Sequence, residues 1–387
     1  MILCEAKPIP VTGERIGKIA SSYQYVYAGT SVCDLLEEIR EPYKNAIAVV
    51  DRQGTIRGSI FPQDLVKLLG KPFGRDLLLR QHVEDLMRKA VTFRYDAYIQ
   101  EVRDRISGDL EKGEESHYIL VDKAGHFCAH VCSQDILLQA FNDHRREIEI
   151  AMTIQSRLVP PCKTIQRKNL SIICSAVMAQ GIGGDYYHVT EYTPGKWFFC
   201  LCDISGKGIS AAIITAVLAG FMHNADFSIP FPKLIDELNN IILDTFKLEK
   251  YLTGFFARFT EENGELEYCD MGHALFYALE GSRLYQVSRE ADNVPVGLVD
   301  NPGPEPRILR LAPGTLLIVM SDGFPEQENR KKEAFPIQDL GEHLQFCLAN
   351  GNDLVSAKVC IFEEFFRFKQ DMPQHDDISL LLFHYAQ

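Results

Sequence analysis

The sequence predicts an α/β (α+β) chain in three parts: a repeated N-terminal unit over residues 1–136, a connecting helix over 137–162, and a C-terminal domain over 163–387. Three observations predict it. A five-residue phrase recurs in the first third. An apolar series at heptad spacing follows it. Beyond that, apolar runs of strand length alternate with tight turns, broken by two longer runs of helical character.

The phrase is Val50-Asp51-Arg52-Gln53-Gly54, which returns as Val121-Asp122-Lys123-Ala124-Gly125. At the same offset Gln63-Asp64-Leu65 returns as Gln134-Asp135-Ile136. A period of this size marks a duplicated supersecondary unit. Each copy reads as a strand (Ala46–Val50; Tyr118–Val121), an Asp/Gly turn, a second strand (Thr55–Ile60; His126–Val131) and a helix. Amphipathic helices precede them, at Val32–Ile39 and Ile99–Ile106. This βαββα-like pattern over residues 15–141 resembles a tandem of CBS domains, a paired regulatory module. In that family an Asp after the second strand, with Ser or Thr shortly before it, contacts the ribose of an adenine nucleotide. The resemblance therefore implies a nucleotide site at Asp64, Ser133 and Asp135, although Pro62 stands where the first copy would carry its hydroxyl. Both Asp residues are equally placed to cap the helices that follow them.

The connector reads Leu137, Phe141, His144, Ile148, Ala151, Gln155, Leu158, alternating four and three residues apart. That is heptad spacing with two polar breaks, and it predicts a helix roughly 33 Å long. Pro160-Pro161 stops it. Such a helix could lie on one of the domains; the favoured expectation is a parallel coiled coil that makes the chain a homodimer.

The C-terminal domain carries the chemistry. Trp197–Cys202 is a short, aromatic-rich run and Ala211–Met222 a longer aliphatic one, so a strand precedes a helix. Between them lies Asp203-Ile204-Ser205-Gly206-Lys207-Gly208, with Ser210 placed as a helix cap. A second amphipathic helix is expected at Phe231–Phe246. Strands follow at Leu252–Phe259, Leu266–Cys269, Ala274–Leu279 and Leu284–Val287, with turns at Asn263-Gly264 and Gly281-Ser282. Two sheets with helices packed outside them suit this order.

Three further acids share the setting of Asp203. Asp185 follows Gly183-Gly184 after the strand Ser171–Met178, Asp322 follows Leu316–Ser321, and Asp376-Asp377 opens Ile378–Phe383. Carboxylates at several strand ends predict one acidic pocket. Two like charges about 4 Å apart repel by roughly 4 kcal/mol at an effective dielectric near 20, so the acids must take up protons or cations. Hard oxygen ligands with no His/Cys cluster favour Mg²⁺ or Mn²⁺ over zinc. Lys207 is no phosphate-loop lysine, because Gly208 follows it and the upstream glycine is missing. His273, near a strand start, reads as structural.

Six motifs stand in order: Ile182-Gly183-Gly184-Asp185-Tyr186-Tyr187, Asp203 to Gly208, Met271-Gly272-His273, Val294-Pro295-Val296-Gly297, Ser321-Asp322-Gly323 with Glu326, and Asp376-Asp377-Ile378-Ser379. Over residues 145–387 the chain resembles the bacterial SpoIIE/RsbU-like serine phosphatases of the PP2C (PPM) superfamily. The resemblance implies an α-β-β-α sandwich and two bound Mg²⁺ or Mn²⁺ ions. It makes Asp185, Asp203, Asp322 and Asp376 catalytic, with Asp203 bridging the ions, the Ile204 carbonyl adding a ligand, and Asp376 or Asp377 completing the set. A water activated between the ions would attack phosphorus in line. One departure is His188, where the family has an Asp; it could alter metal preference or pH dependence. Another is Asp270-Met271 in place of Asn-Ala before Gly-His.

The formal net charge of −13 argues against nucleic acid or an anionic membrane as main partner. The first residues lack a signal peptide's basic and apolar regions, and Ala211–Met222 is too short to span a bilayer. Eleven cysteines without paired CxxC spacing read as reduced thiols in cytoplasm. The leading expectation is a cytoplasmic phosphoserine/phosphothreonine protein phosphatase, regulated by the repeat, with an anti-sigma-factor antagonist as first substrate class. The rivals are a non-catalytic nucleotide sensor that docks proteins and a phosphatase of small phosphorylated metabolites.

Overall fold

The computed structural model describes residues 2–39, 46–73, 76, 78, 80–111, 116–280, 282–287, 293–349 and 353–386. It divides into two compact units, residues 1–146 and 147–387.

In the first unit β1 (Cys4–Glu5), β2 (Gln24–Tyr27), β3 (Ile47–Val50) and β4 (Ile56–Ile60) form one sheet in that order, and β5 (Val91–Arg94), β6 (His117–Val121) and β7 (Phe127–Cys132) form another. In each sheet a parallel pair, β2/β3 or β5/β6, is followed by an antiparallel partner, β4 or β7. The helices Val32–Glu38 and Ile99–Glu111 provide the crossovers that parallel strands require. The repeated phrase forms the same turn twice. Asp51 Oδ1 accepts from the backbone N–H of Gln53 and Thr55 at 2.9 and 3.0 Å. Asp122 Oδ1 accepts from Ala124 and His126 at 2.8 and 2.9 Å. Gly54 and Gly125 close these turns at φ of 83° and 87°, a region that disfavours side chains. The strands read at Ala46–Val50 and Tyr118–Val121 are β3 and β6; the sequence reading contains no strand at β2 or β5, which are four residues each and carry little apolar pattern.

The Ser133–Leu158 helix follows β7 directly and starts four residues before the heptad series. Its 26 residues make it about 39 Å long.

In the second unit β10 (Tyr186–Thr193), β11 (Lys196–Ile204), β12 (Leu252–Thr260), β13 (Glu265–Met271) and β16 (Arg307–Arg310) form an antiparallel sheet in that order. A second antiparallel sheet runs β15 (Arg283–Gln286), β14 (Phe276–Glu280), β17 (Leu316–Met320), β18 (Ile378–Tyr385), β9 (Leu170–Val177), β8 (Cys162–Gln166). Side-chain alternation sorts the layers. Leu317, Val319, Leu381 and Phe383 join Phe199 and Phe259 of the facing sheet, in a core that also takes Ile214, Leu218, Leu234 and Leu238 from the Ile209–Asn224 and Phe231–Phe246 helices. The intervening Leu316, Ile318, Met320, Leu380 and Leu382 pack on Leu344, Ala357, Ile361 and Phe365 of the Leu340–Ala349 and Leu354–Lys369 helices. The result is an α-β-β-α sandwich.

Ser210 does not cap its helix. The helix begins at Ile209 with Gly208 at the cap, at φ 72°, and the Ser210 hydroxyl donates to the Lys207 carbonyl at 3.3 Å. Asn263-Gly264 does turn β12 into β13, with Asn263 Oδ1 accepting from Glu265 N–H at 3.0 Å. Of the turn expected at Gly281-Ser282, Gly281 lies outside the described residues. No helix of the described residues is long and apolar enough to cross a membrane.

Candidate functional site

The four acids reach one place by strand pairing. β10 pairs with β11 so that Tyr186 faces Cys202, which sets Asp185 beside Asp203 at the strand ends. β17 pairs with β18 so that Met320 faces Leu380. Past that pair, Ser321 N–H donates to the Ser379 carbonyl at 2.9 Å, and Ser379 N–H donates to Ser321 Oγ at 2.8 Å. These bonds hold Asp322 and Asp376 together. The turn after Asp322 closes when Glu326 N–H donates to the Asp322 carbonyl at 2.9 Å. One carboxylate oxygen each from Asp322, Glu326 and Asp376 then lies within 4.8 Å of the others.

The electrostatics are those of a crowded acidic pocket. Burial, then the charges of Asp185, Asp322 and Asp376, push the Asp203 carboxyl up to about 9. Burial and Asp377 push Asp185 up to about 8. Burial, Glu326 and Asp376 raise Asp322. Lys207 answers part of this charge: its Nζ lies 2.8 Å from Asp376 Oδ2 and donates to the His375 carbonyl at 2.8 Å. Asp185 is 1 % exposed, and its Oδ2 has no hydrogen-bond partner among the described residues. A buried carboxylate oxygen without a donor is costly. With three further carboxylates grouped nearby, the donor set fits a hard divalent cation.

Asp377 has different company. Its Oδ1 accepts from Ala179 N–H at 2.8 Å and its Oδ2 from Gly184 N–H at 2.7 Å, so it clasps the loop that leads to Asp185. The Ile204 carbonyl faces that loop closely, since a Cβ added at Gly184 would lie 2.8 Å from it. Glu326 stands in the sequence motif with Ser321-Asp322-Gly323 but was not given a ligand's role there; the structure groups its carboxylate with those of Asp322 and Asp376.

His188 lies outside the acid group. Its ring packs with those of Tyr186, His223 and Phe227, and burial holds it down to about 4. His273 is buried. Its backbone N–H donates to Asp270 Oδ1 at 2.7 Å, and its Nε2 lies 2.7 Å from the Met320 carbonyl.

Asp64, Ser133 and Asp135 belong to the first unit. Asp64 pairs with Arg88 at 2.5 Å, and the Arg88 guanidinium stands over the Phe61 ring. Ser133 Oγ accepts from Ser116 N–H at 3.1 Å. Asp135 Oδ2 accepts from Cys132 N–H at 3.0 Å, a bond that caps the start of the Ser133–Leu158 helix.

With this geometry in view, comparisons with known proteins identify the second unit. The family model "Stage II sporulation protein E (SpoIIE)" matches residues 193–386. Among solved structures, the SiaA-PP2C domain of Pseudomonas aeruginosa is similar at 16% identity and a TM-score of 0.51, covering 64% of this chain and 99% of that one. The RsbU and RsbW domains of a Mycobacterium tuberculosis protein are similar at 17% identity and a TM-score of 0.50, covering 59% and 63%. At these identities the likeness is one of fold. A search of curated proteins returns no match. The matched model spans half of the chain and includes Asp203, Asp322 and Asp376: the chain belongs to the SpoIIE family.

Proposed function

We propose that this chain is a Mg²⁺- or Mn²⁺-dependent phosphatase of phosphoserine or phosphothreonine on a regulatory protein. An anti-sigma-factor antagonist is the first substrate class to test. The observation that carries the reading is the convergence of Asp185, Asp203, Asp322 and Asp376, with a buried Asp185 oxygen left without a donor. In this reading Asp203 would serve both ions, with the Ile204 carbonyl as a further ligand; Asp322, Asp376 and Glu326 would hold one ion and Asp185 the other. The donors already bound to Asp377 favour Asp376 over its neighbour as ligand. Bound ions would supply an activated water and offset charge on the phosphoryl oxygens. The protein's part is to fix the carboxylates in position and to balance Asp376 through Lys207. The test is hydrolysis of a phosphoserine protein, and of small phosphate esters, by the purified chain with Mn²⁺ and with chelator. Release of phosphate from the protein substrate, lost on chelation, supports the reading; equal rates with and without metal overturn it.

The domain division behind this reading is 1–136, 137–162 and 163–387. The twofold strand–helix–strand–strand–helix pattern supports a CBS pair in the first part, binding an adenine nucleotide through Asp64, Ser133 and Asp135. Calorimetry with AMP, ADP and ATP tests it, and no heat at millimolar ligand rejects it. The exposed Leu137, Leu138 and Phe141 on the connecting helix support homodimerisation along it.

A further inference from the structure

We infer that Gln155 is a positioning residue for the acidic site, acting on Asp185 through the Gly183 peptide. The inference rests on the metal-dependent reading above and deepens it by adding a residue of the connecting helix to the site.

In sequence Gln155 is a polar break in an apolar series. In the structure it is 4 % exposed while its neighbours Ile154 and Ser156 face solvent. Its amide spans one residue 28 positions away. Nε2 donates to the Gly183 carbonyl at 2.6 Å, and Oε1 accepts from Gly183 N–H at 3.1 Å. Two bonds to both backbone groups of one residue fix its orientation as well as its distance, and both are buried. A hydrophobic side chain here would leave an N–H and a C=O unpaired.

Gly183 can accept this clasp only because it lacks a side chain. A Cβ there would fall 1.8 Å from Asp377 Oδ2. One turn earlier on the helix, Met152 lies against Gly181, where an added Cβ would come within 2.3 Å of its methyl carbon. The loop before Asp185 is therefore held from two sides. Gln155 and Met152 hold it from the helix; Asp377 holds Ala179 and Gly184 from the strand opposite. Asp185 Oδ2 has no hydrogen-bond partner among the described residues, and the loop that carries this carboxyl is the one held at these points. A small turn of the helix would pass through Gly183 to that carboxylate.

The experiment measures Mn²⁺ binding to the full chain by calorimetry, with turnover against Mn²⁺ concentration as a second readout. Gln155→Met keeps the length and volume but removes both bonds. Outer residues that orient metal ligands usually alter affinity by about 10–100-fold, and a weakening of that size is expected here. Turnover at saturating Mn²⁺ should stay much closer to wild type, and circular dichroism should show a folded chain. Ile154→Ala, on the exposed side of the same turn, should change neither. If Gln155→Met does not fold, Gln155→Glu takes its place: it keeps an acceptor for Gly183 N–H, loses the donor, and should still weaken Mn²⁺ binding. Wild-type affinity and metal requirement in a folded Gln155 variant would overturn the inference while leaving the metal site standing. Failure of the wild-type chain to bind Mn²⁺ would overturn the metal site itself, and this inference with it.

Discussion

Asp185 and Asp203 hold their protons in the folded chain far above the ordinary carboxylate value, near 3.9. An acid raised in this way contributes stability at low pH, and that contribution is lost as pH rises through the folded value. For these two groups the loss ends near 8 and 9. His188, lowered to about 4, acts in the opposite direction, but only below the ordinary histidine value of about 6.5. From about pH 6.5 to about 8 the acids should therefore set the slope. The metal-free chain should melt at lower temperature as pH rises across this window, and Mn²⁺ should flatten the trend. Thermal melts with and without chelator check this, and a flat metal-free profile would contradict it. The four acids were legible because each stands at a strand end, in or next to a turn that carries glycine or a second acid. Glu326 was legible as part of a motif but not as a member of the acid group, because it lies in an irregular turn that no periodicity marks. Gln155 was visible only as a flaw in a heptad, since its partner is a backbone group 28 residues away.

At the scale of elements, strand alternation made the sandwich legible. The runs Leu316–Met320 and Leu380–Phe383 are apolar at every position because both faces are covered. Phe383 joins the two sheets, with ring centroids 5.0 Å from Phe199 and 4.8 Å from Phe259. Phe383→Ala should destabilise the chain by about 3–5 kcal/mol, whereas Phe366→Ala, on the outer face of its helix, should change stability by about 0.5 kcal/mol or less. Denaturant unfolding separates them, and equal losses would contradict the assigned layers. The Leu340–Ala349 and Leu354–Lys369 helices were missed, although Leu354, Ala357, Ile361 and Phe365 have helical spacing. The heptad series was read as one seam, yet its two ends differ. Gln155 is buried and Leu158 packs into the sandwich core, while Leu137 and Phe141 are exposed. Phe141→Glu should therefore favour a single chain of 43.8 kDa in light scattering at micromolar concentration. A mutant mass equal to that of a wild-type dimer would reject the seam at this position.

At the scale of the whole molecule, duplication and motif order were both legible. The repeated Asp–Gly phrase survives as two turns with the same hydrogen bonds, and six motifs in order lead to a sandwich whose strand ends bear the acids. What no spacing could reveal is how charge is shared once these ends meet, because that depends on burial and on Lys207. The central claim is that this convergence is a metal-dependent phosphatase site. The most direct measurement is turnover of a phosphoserine protein with Mn²⁺ by wild type, Asp203→Asn and Asp322→Asn. The account predicts losses of about two orders of magnitude or more in both variants, with far-UV circular dichroism unchanged and wild-type activity abolished by chelator. Equal turnover in all three proteins would contradict it.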